Sequence, residues 1–202
     1  VGGLFVFESK LTQEFRLHFD EKIAEMFQSI GIREGSVWIE VFHDGENYYF
    51  NEVGFRYGGS VSIYPVDYFY QINQVAADIH YALTGESCIS EHTSLIRSPL
   101  PRKKYYCIYP VHINAGTISS ISGLDKIAQL ENIVYLATTK YLHDRIESSG
   151  SFSQVFALVH FVCNTTEECI QTIDRIHQML VVFDEHGNNM VNRMLDVGKI
   201  IF

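Results

Sequence analysis

Apolar residues recur at three- and four-residue spacing in the first part of the chain, which is the period of an α-helix with one buried face. They are Leu11, Phe15, Phe19, Ile23, Met26, Phe27 and Ile30. Thr12 is suited to capping the start of this helix, and Gly31 stands where a C-terminal glycine belongs. The apolar run at residues 4–7 precedes it and predicts a short strand.

Two β-rich segments, residues 37–42 and 48–53, flank the polar sequence Asp44-Gly45-Glu46-Asn47 and predict a hairpin. A glycine-rich loop at residues 54–60 follows. After Pro65 the pattern predicts a second helix, which ends at Gly85. Its apolar stripe consists of Ile72, Val75, Ala76, Ile79 and Leu83.

Strands dominate the second half, at residues 105–113, 117–121, 155–163 and 181–183. Thr165 and Glu168 form a capping-box pattern that opens one clear helix. The proline-rich, basic segment 98–104 predicts a connector. We therefore expect an α+β protein with a first domain at 1–87, a connector at 88–104 and a smaller α+β domain at 105–202.

Composition narrows the function classes. The chain has 202 residues, 47% of them hydrophobic and 19% charged, as in folded globular proteins. Its net charge of -9 argues against a general nucleic-acid binder and against docking on anionic membranes. The four cysteines form no C-x-x-C pair, which predicts reduced, mostly buried thiols in a cytoplasmic protein rather than a zinc site.

Two acidic residues, Glu40 and Glu52, stand inside otherwise apolar strands of the hairpin. Burying a carboxylate is costly unless it is paired. If the hairpin closes with Asp44 opposite Tyr48, Glu40 lies directly across from Glu52, and a divalent cation would relieve their repulsion. A two-residue turn at Asp44-Gly45 would instead point the glutamates to opposite faces.

The hairpin continues into Arg56, Gly58 and Gly59. The order strand–Glu, hairpin, strand–Glu-x-x-x-Arg-x-Gly-Gly resembles the metal-binding end of ATP-grasp enzymes such as biotin carboxylase, the large subunit of carbamoyl phosphate synthase and the L-amino acid ligases. Most of the chain fits this family's layout, but only residues 37–59 are specific. The implied fold is the C-terminal part of an ATP-grasp domain, an antiparallel sheet with flanking helices, followed by a smaller domain.

The resemblance also implies a chemistry. Glu40 and Glu52 would hold Mg²⁺ or Mn²⁺ that bridges the ATP phosphates, and Arg56 would bind the acyl phosphate or its substrate. Gly58 and Gly59 match the loop that lets substrate approach the backbone. The implied cofactors are ATP and magnesium, and the implied substrates are a small carboxylate and an amine or similar nucleophile.

Two departures from the family pattern matter. Gly54 stands where most members have an asparagine that binds the metal, so the site could be degenerate and serve only binding or assembly. The family's phosphate loop, ATP-binding lysines and adenine-binding segment have no counterpart in residues 1–36, and neither Lys10 nor Lys22 is in such a setting. We therefore expect a fragment that does not turn over ATP alone.

A plain α+β protein without a site at the hairpin is the third reading. It predicts that the two glutamates point apart or into solvent. Substrate identity stays open on the sequence. The oligomeric state is open too, because apolar surface left by missing segments would favour a homo-oligomer.

Overall fold

A computed structural model describes residues 3–89, 104–193, 195 and 196. The chain divides into two compact units. One combines Val1–Glu14 with Arg102–Phe202, and the other is Phe15–Pro101. The N-terminal segment thus groups with the C-terminal half, which the expected first domain at 1–87 did not foresee. Most of the expected connector at 88–104 lies outside the described residues.

The first unit contains a four-stranded antiparallel sheet with the order β1-β4-β8-β6. Its strands are β1 (Phe5–Phe7), β4 (Tyr105–His112), β6 (Ile133–Thr138) and β8 (Val155–Cys163). Strand β1 joins the sheet because Phe5 pairs with Ile108 on β4. The central strands are buried on both faces, so they appear in the sequence as continuous apolar runs.

A second sheet in this unit has the order β7-β5-β9, formed by Arg145–Ile146, Gly116–Ser122 and Val181–Asp184. Two helices accompany the sheets: α4 (Leu124–Ala128) and α5 (Thr166–Met179). The predicted capping box opens α5, since the Thr165 side chain accepts a hydrogen bond from the Glu168 backbone N–H at 3.2 Å. The Glu168 carboxylate accepts from the Asn164 backbone N–H at 2.7 Å.

Most of the fully buried side chains lie in this unit, in one cluster that connects the four-stranded sheet with α5. Its largest members include Phe156, Phe161, Ile173, Ile176, Leu180 and Met190. The face of α5 that contains Cys169, Ile173 and Ile176 is therefore the one that packs on the core.

The second unit contains the hairpin β2 (Trp38–His43) and β3 (Tyr48–Gly54), with helices α2 (Ile63–Tyr70) and α3 (Gln74–Thr84). Helix α1 (Lys10–Ser29) belongs to this unit from Phe15 onward. Phe15 and Phe19 of α1 pack on Tyr48 and Phe50 of the hairpin, with ring centroids 5.0–5.9 Å apart within this group. The predicted helix is confirmed. The expectation of a buried face on it is wrong among the described residues, because none of its side chains is fully buried.

The single helix predicted after Pro65 is two helices. Pro65 itself lies in the first turn of α2, where a missing backbone N–H costs nothing. Gln71 then adopts a left-handed conformation with φ of 56° and ends α2. Asn73 caps α3 by accepting a hydrogen bond from the Ala76 backbone N–H at 3.0 Å. None of the described helices is long and apolar enough to cross a membrane.

Candidate functional site

The hairpin places Glu40 directly opposite Glu52. This confirms the predicted opposition and excludes the two-residue turn at Asp44-Gly45, which would have put the glutamates on different faces. The third reading predicted that the two glutamates point apart or into solvent. The register argues against the first possibility, whereas the 55% exposure of the Glu52 side chain agrees with the second. Directly opposed residues on antiparallel strands have Cβ atoms roughly 5 Å apart, so the two carboxylates can share one cation.

The opposition arises in a way that the sequence argument did not foresee. At the turn, His43 pairs with Tyr48, so the assumed pairing of Asp44 with Tyr48 is wrong. A β-bulge between Glu40 and Val41 then shifts the register by one residue, because Val41 pairs with Phe50 and leaves Asn51 as the extra residue. The bulge restores the alignment of the two glutamates.

Asn51, the bulged residue, belongs to the site although the sequence analysis overlooked it. Its side-chain amide donates a hydrogen bond to Glu40 Oε1 over 2.6 Å. The amide therefore orients one of the two opposed carboxylates. An asparagine inside a β-rich run was a usable signal, since Asn is depleted in regular strands and favours irregular backbone.

Asp44 closes the hairpin. Its carboxylate accepts hydrogen bonds from the backbone N–H groups of Glu46 and Asn47, at 2.9 and 2.8 Å, and from the Tyr49 hydroxyl at 2.9 Å. The bonds from Asn47, Glu46 and Tyr49 lower the pKa of Asp44 to about 2. The turn is thus held by an ionised side chain over the ordinary pH range.

Arg56 lies beside the carboxylate pair. Its Nη2 is 3.9 Å from Glu52 Oε1, and its Nη1 donates to the Tyr57 carbonyl at 2.9 Å. The guanidinium stacks on the indole of Trp38, 4.8 Å from the ring centroid. Trp38 is therefore a second site residue that the sequence analysis missed. These contacts hold a fixed positive charge next to the Glu52 carboxylate.

The glycines at the site differ in what surrounds them. A Cβ at Gly54 would lie 3.4 Å from Cγ and Nε of Arg56, which is an ordinary contact, so the packing around Arg56 does not require glycine there. A Cβ at Gly58 would meet Ser62 Oγ at 2.6 Å and Trp38 Cδ1 at 2.9 Å. Gly59 has nothing within 4 Å. Gly58 is thus required for packing, and a side chain at Gly59 would meet open space.

Tyr57 anchors the loop that contains Arg56. Its hydroxyl donates to Asp78 Oδ2 of α3 over 2.6 Å, and Ser36 Oγ donates to the same oxygen over 3.3 Å. The hydrogen bond to Asp78 raises the pKa of Tyr57 to about 12. The loop after the hairpin is therefore tied to α3 by a charge-assisted bond.

The site is open to solvent. The side chains of Glu52 and Arg56 are 55% and 54% exposed. The premise that the carboxylates are buried is thus wrong, and desolvation gives no reason for a cation here. Mutual repulsion remains as the reason, together with the neighbouring Arg56.

No protein-family model matches the chain, and no curated protein is significantly similar to it in sequence. Solved structures are similar in fold. L-amino acid ligase from Bacillus licheniformis matches with a TM-score of 0.73 at 21% identity, over 92% of this chain and 44% of that one. Phosphoribosylglycinamide synthetase from Anaerococcus prevotii matches with a TM-score of 0.72 at 13% identity, over 92% and 46%.

A third similar structure is the biotin carboxylase domain of Hydrogenobacter thermophilus 2-oxoglutarate carboxylase, solved as a dimer with MgADP and bicarbonate. Its TM-score is 0.59 at 12% identity, over 94% of this chain and 39% of that one. L-amino acid ligase, phosphoribosylglycinamide synthetase and biotin carboxylase are ATP-grasp enzymes. The predicted resemblance is thereby confirmed at the level of fold: mixed α and β structure with antiparallel sheets. The chain spans less than half the length of these proteins.

Proposed function

We propose that this chain is part of an ATP-dependent, magnesium-dependent ligase that activates a carboxylate as an acyl phosphate for attack by an amine or similar nucleophile. One observation supports this above the others. Two carboxylates, Glu40 and Glu52, are directly opposed beside Arg56 on the hairpin of an ATP-grasp-like fold.

The donor set fits magnesium. Glu40 and Glu52 offer hard carboxylate oxygens from facing strand positions, the ligand type that this ion prefers. When bound, magnesium would supply positive charge that neutralises the phosphate oxygens of ATP. Asn51 would keep Glu40 oriented through its 2.6 Å hydrogen bond. Manganese would occupy the same oxygens.

Arg56 would bind the acyl phosphate. Its stacking on Trp38 and its bond to the Tyr57 carbonyl hold the guanidinium in place, while about half of the side chain remains accessible to an anion. A planar cation with fixed orientation suits two oxygens of a phosphate or carboxylate. Gly59, with no neighbouring atoms, would let the substrate approach the backbone, next to Gly58.

The similar structures support the substrate class that we propose. An L-amino acid ligase and phosphoribosylglycinamide synthetase are among the similar structures, which supports a small carboxylate and an amine as partners. MgADP in the biotin carboxylase domain supports ATP as the nucleotide, and its dimer supports a homo-oligomer. We further propose a cytoplasmic enzyme whose catalytic part is the unit that contains the hairpin, followed by a smaller C-terminal domain with which residues 1–14 are grouped.

A catalytically degenerate binding or assembly module is the second candidate, and Gly54 favours it. An asparagine at this position would add an oxygen ligand, and its Cβ would make only an ordinary contact with Arg56, at 3.4 Å, so glycine gives up that ligand without a steric reason at Cβ. The site therefore combines an arginine folded back on Glu52 with one ligand fewer. Such an arrangement could bind a phosphate without transferring it.

ADP release by the complete protein that contains this chain separates the two candidates. Each of a panel of amino acids and small acids is supplied with ATP and magnesium. A ligase releases ADP only with its substrate, and Glu52→Gln abolishes this release while Glu46→Gln, an exposed turn residue of the same hairpin, does not. Arg56→Ala is expected to cost about 100-fold, the usual effect of removing one charge-stabilising donor.

Two outcomes would count against the proposal. Absence of ADP release across the panel would favour the degenerate module. A loss of less than about threefold in Arg56→Ala would mean that this arginine does not stabilise the transferring group.

A further inference from the structure

Three cysteines meet in the core of the unit formed by residues 1–14 and 102–202. Cys107 lies on β4 and Cys163 on β8, where Tyr105 pairs with Cys163 and Cys107 pairs with Phe161. The two cysteines are therefore diagonal neighbours on one face of the sheet. Cys169, in the first turns of α5, completes the group. All three side chains are buried, with exposures of 0%, 2% and 0%.

The sulfur positions match three-coordinate metal binding. The three Sγ atoms lie within 4.8 Å of one another, and the pair from Cys107 and Cys163 is 3.7 Å apart. Three sulfurs at about 2.3 Å from a central ion, in one plane, would be roughly 4 Å apart. The sheet and the helix thus hold the thiols close to the required spacing before any ion is present.

The chemistry of the donors selects the kind of ion. Among the described residues, no histidine or carboxylate joins the three sulfurs, whereas structural zinc sites are almost always completed by a fourth ligand. Sulfur donors alone favour soft ions such as copper(I).

An open groove lies beside the cluster, with a volume of about 500 Å³, and Cys163 is among its lining residues. Its charged lining is balanced, since Lys104 and Arg175 are accompanied by Glu131 and Glu168. Cys163 itself is only 2% exposed, so an ion reaches the sulfurs through a local opening of the core.

We propose that Cys107, Cys163 and Cys169 form a three-sulfur binding site for a soft, thiophilic cation, represented by copper(I). This site is independent of the ATP chemistry proposed for the hairpin, and it contributes stability to the unit in which it lies. Binding replaces thiol protons by the ion, so protons are released to solvent and no oxidation or reduction takes place.

The test uses the whole chain with Cys88→Ser, because Cys88 is an exposed thiol that would bind copper by itself. Copper(I) is supplied without oxygen and against a colorimetric chelator that competes for it. We expect one copper per chain, a thiolate-to-copper charge-transfer absorption, and a higher unfolding temperature with copper. X-ray absorption at the copper edge should count three sulfur neighbours.

Cys163→Ser and Cys169→Ser are each made in the Cys88→Ser chain. Each should weaken copper binding by more than about tenfold, because even the mutation of a residue that only orients a metal ligand typically lowers the affinity by that factor. The number of sulfur neighbours is measured by X-ray absorption on the Cys88→Ser chain, which has no substitution in the core. This measurement therefore remains decisive if a core variant fails to fold. No copper retained against the chelator, or two or fewer sulfur neighbours, would overturn the site and leave three ordinary core thiols.

Discussion

Gly58 and Gly59 are adjacent in the sequence, yet a methyl group added at each would meet different surroundings. At Gly58 the new Cβ would lie 2.6 Å from Ser62 Oγ and 2.9 Å from Trp38 Cδ1. The serine hydroxyl can rotate away, but the indole must shift to reach an ordinary contact of at least 3.4 Å. At Gly59 nothing lies within 4 Å.

The cost of Gly58→Ala can be worked out from these contacts. Inserting a methyl group against packed atoms typically costs 1–3 kcal/mol, and the low end of about 1 kcal/mol applies because Trp38 is only partly buried. Displacing the indole also weakens its contact with Arg56, worth about 0.5–1 kcal/mol at an exposed site. We expect a loss of about 1–2 kcal/mol for Gly58→Ala. Gly59→Ala should be neutral or stabilise by a few tenths of a kcal/mol, since it reduces the entropy of the unfolded chain.

The assay is urea unfolding followed by fluorescence, with Trp38 as the only tryptophan of the chain. Gly58→Ala should lower the midpoint and alter the emission of the folded state, and Gly59→Ala should do neither. Arg56→Ala serves as the control that removes the stacking without the overpacking. Equal midpoints and equal emission for the two glycine variants would refute the packing role assigned to Gly58.

Three further expectations concern single groups. Burial, and then the charge of Arg193, lowers the pKa of His177, whose Nε2 is 2.6 Å from the Tyr109 hydroxyl. The stability that neutral His177 contributes is therefore fully present above the usual pKa of 6.5 and is lost as the pH falls through the lowered pKa. Acid unfolding of the unaltered chain and of Tyr109→Phe would measure this loss. Tyr57 should titrate near pH 12 in an ultraviolet titration of single Tyr→Phe variants, and a value near 10 would deny its bond to Asp78. Thr165→Ala should cost about 1 kcal/mol in urea unfolding through loss of the cap of α5, whereas no measurable change would show that the cap contributes nothing.

The hairpin shows how far the sequence could predict the site. The β-rich composition of residues 37–42 and 48–53 located both strands, and one of two possible turn pairings placed Glu40 opposite Glu52. The turn pairing was misplaced by one residue, and the bulge at Asn51 compensated for it. Both features depend on which backbone hydrogen bonds form, and strand patterns alone do not determine that.

Other features depend on tertiary contacts and could not be predicted from local sequence. The sequence analysis assigned Trp38 only as a strand residue. Its contact with Arg56 joins residues on the two sides of the hairpin turn, and local sequence does not reveal such a contact. Strand β6 was missed, since a short apolar run does not distinguish strand from helix. The cysteines lack metal-site spacing in sequence, and only the pairing of β4 with β8 brings two of them together.

The central claim is that Glu40 and Glu52 together bind a divalent cation. The most direct measurement is a calorimetric titration of manganese into the chain, with Glu52→Gln as the test variant and Glu46→Gln as a control of equal charge. The account predicts saturable binding in the unaltered chain and in Glu46→Gln, and its loss in Glu52→Gln. Saturable binding that persists unchanged in Glu52→Gln would contradict the claim, because the opposed carboxylates would then not be the ligands.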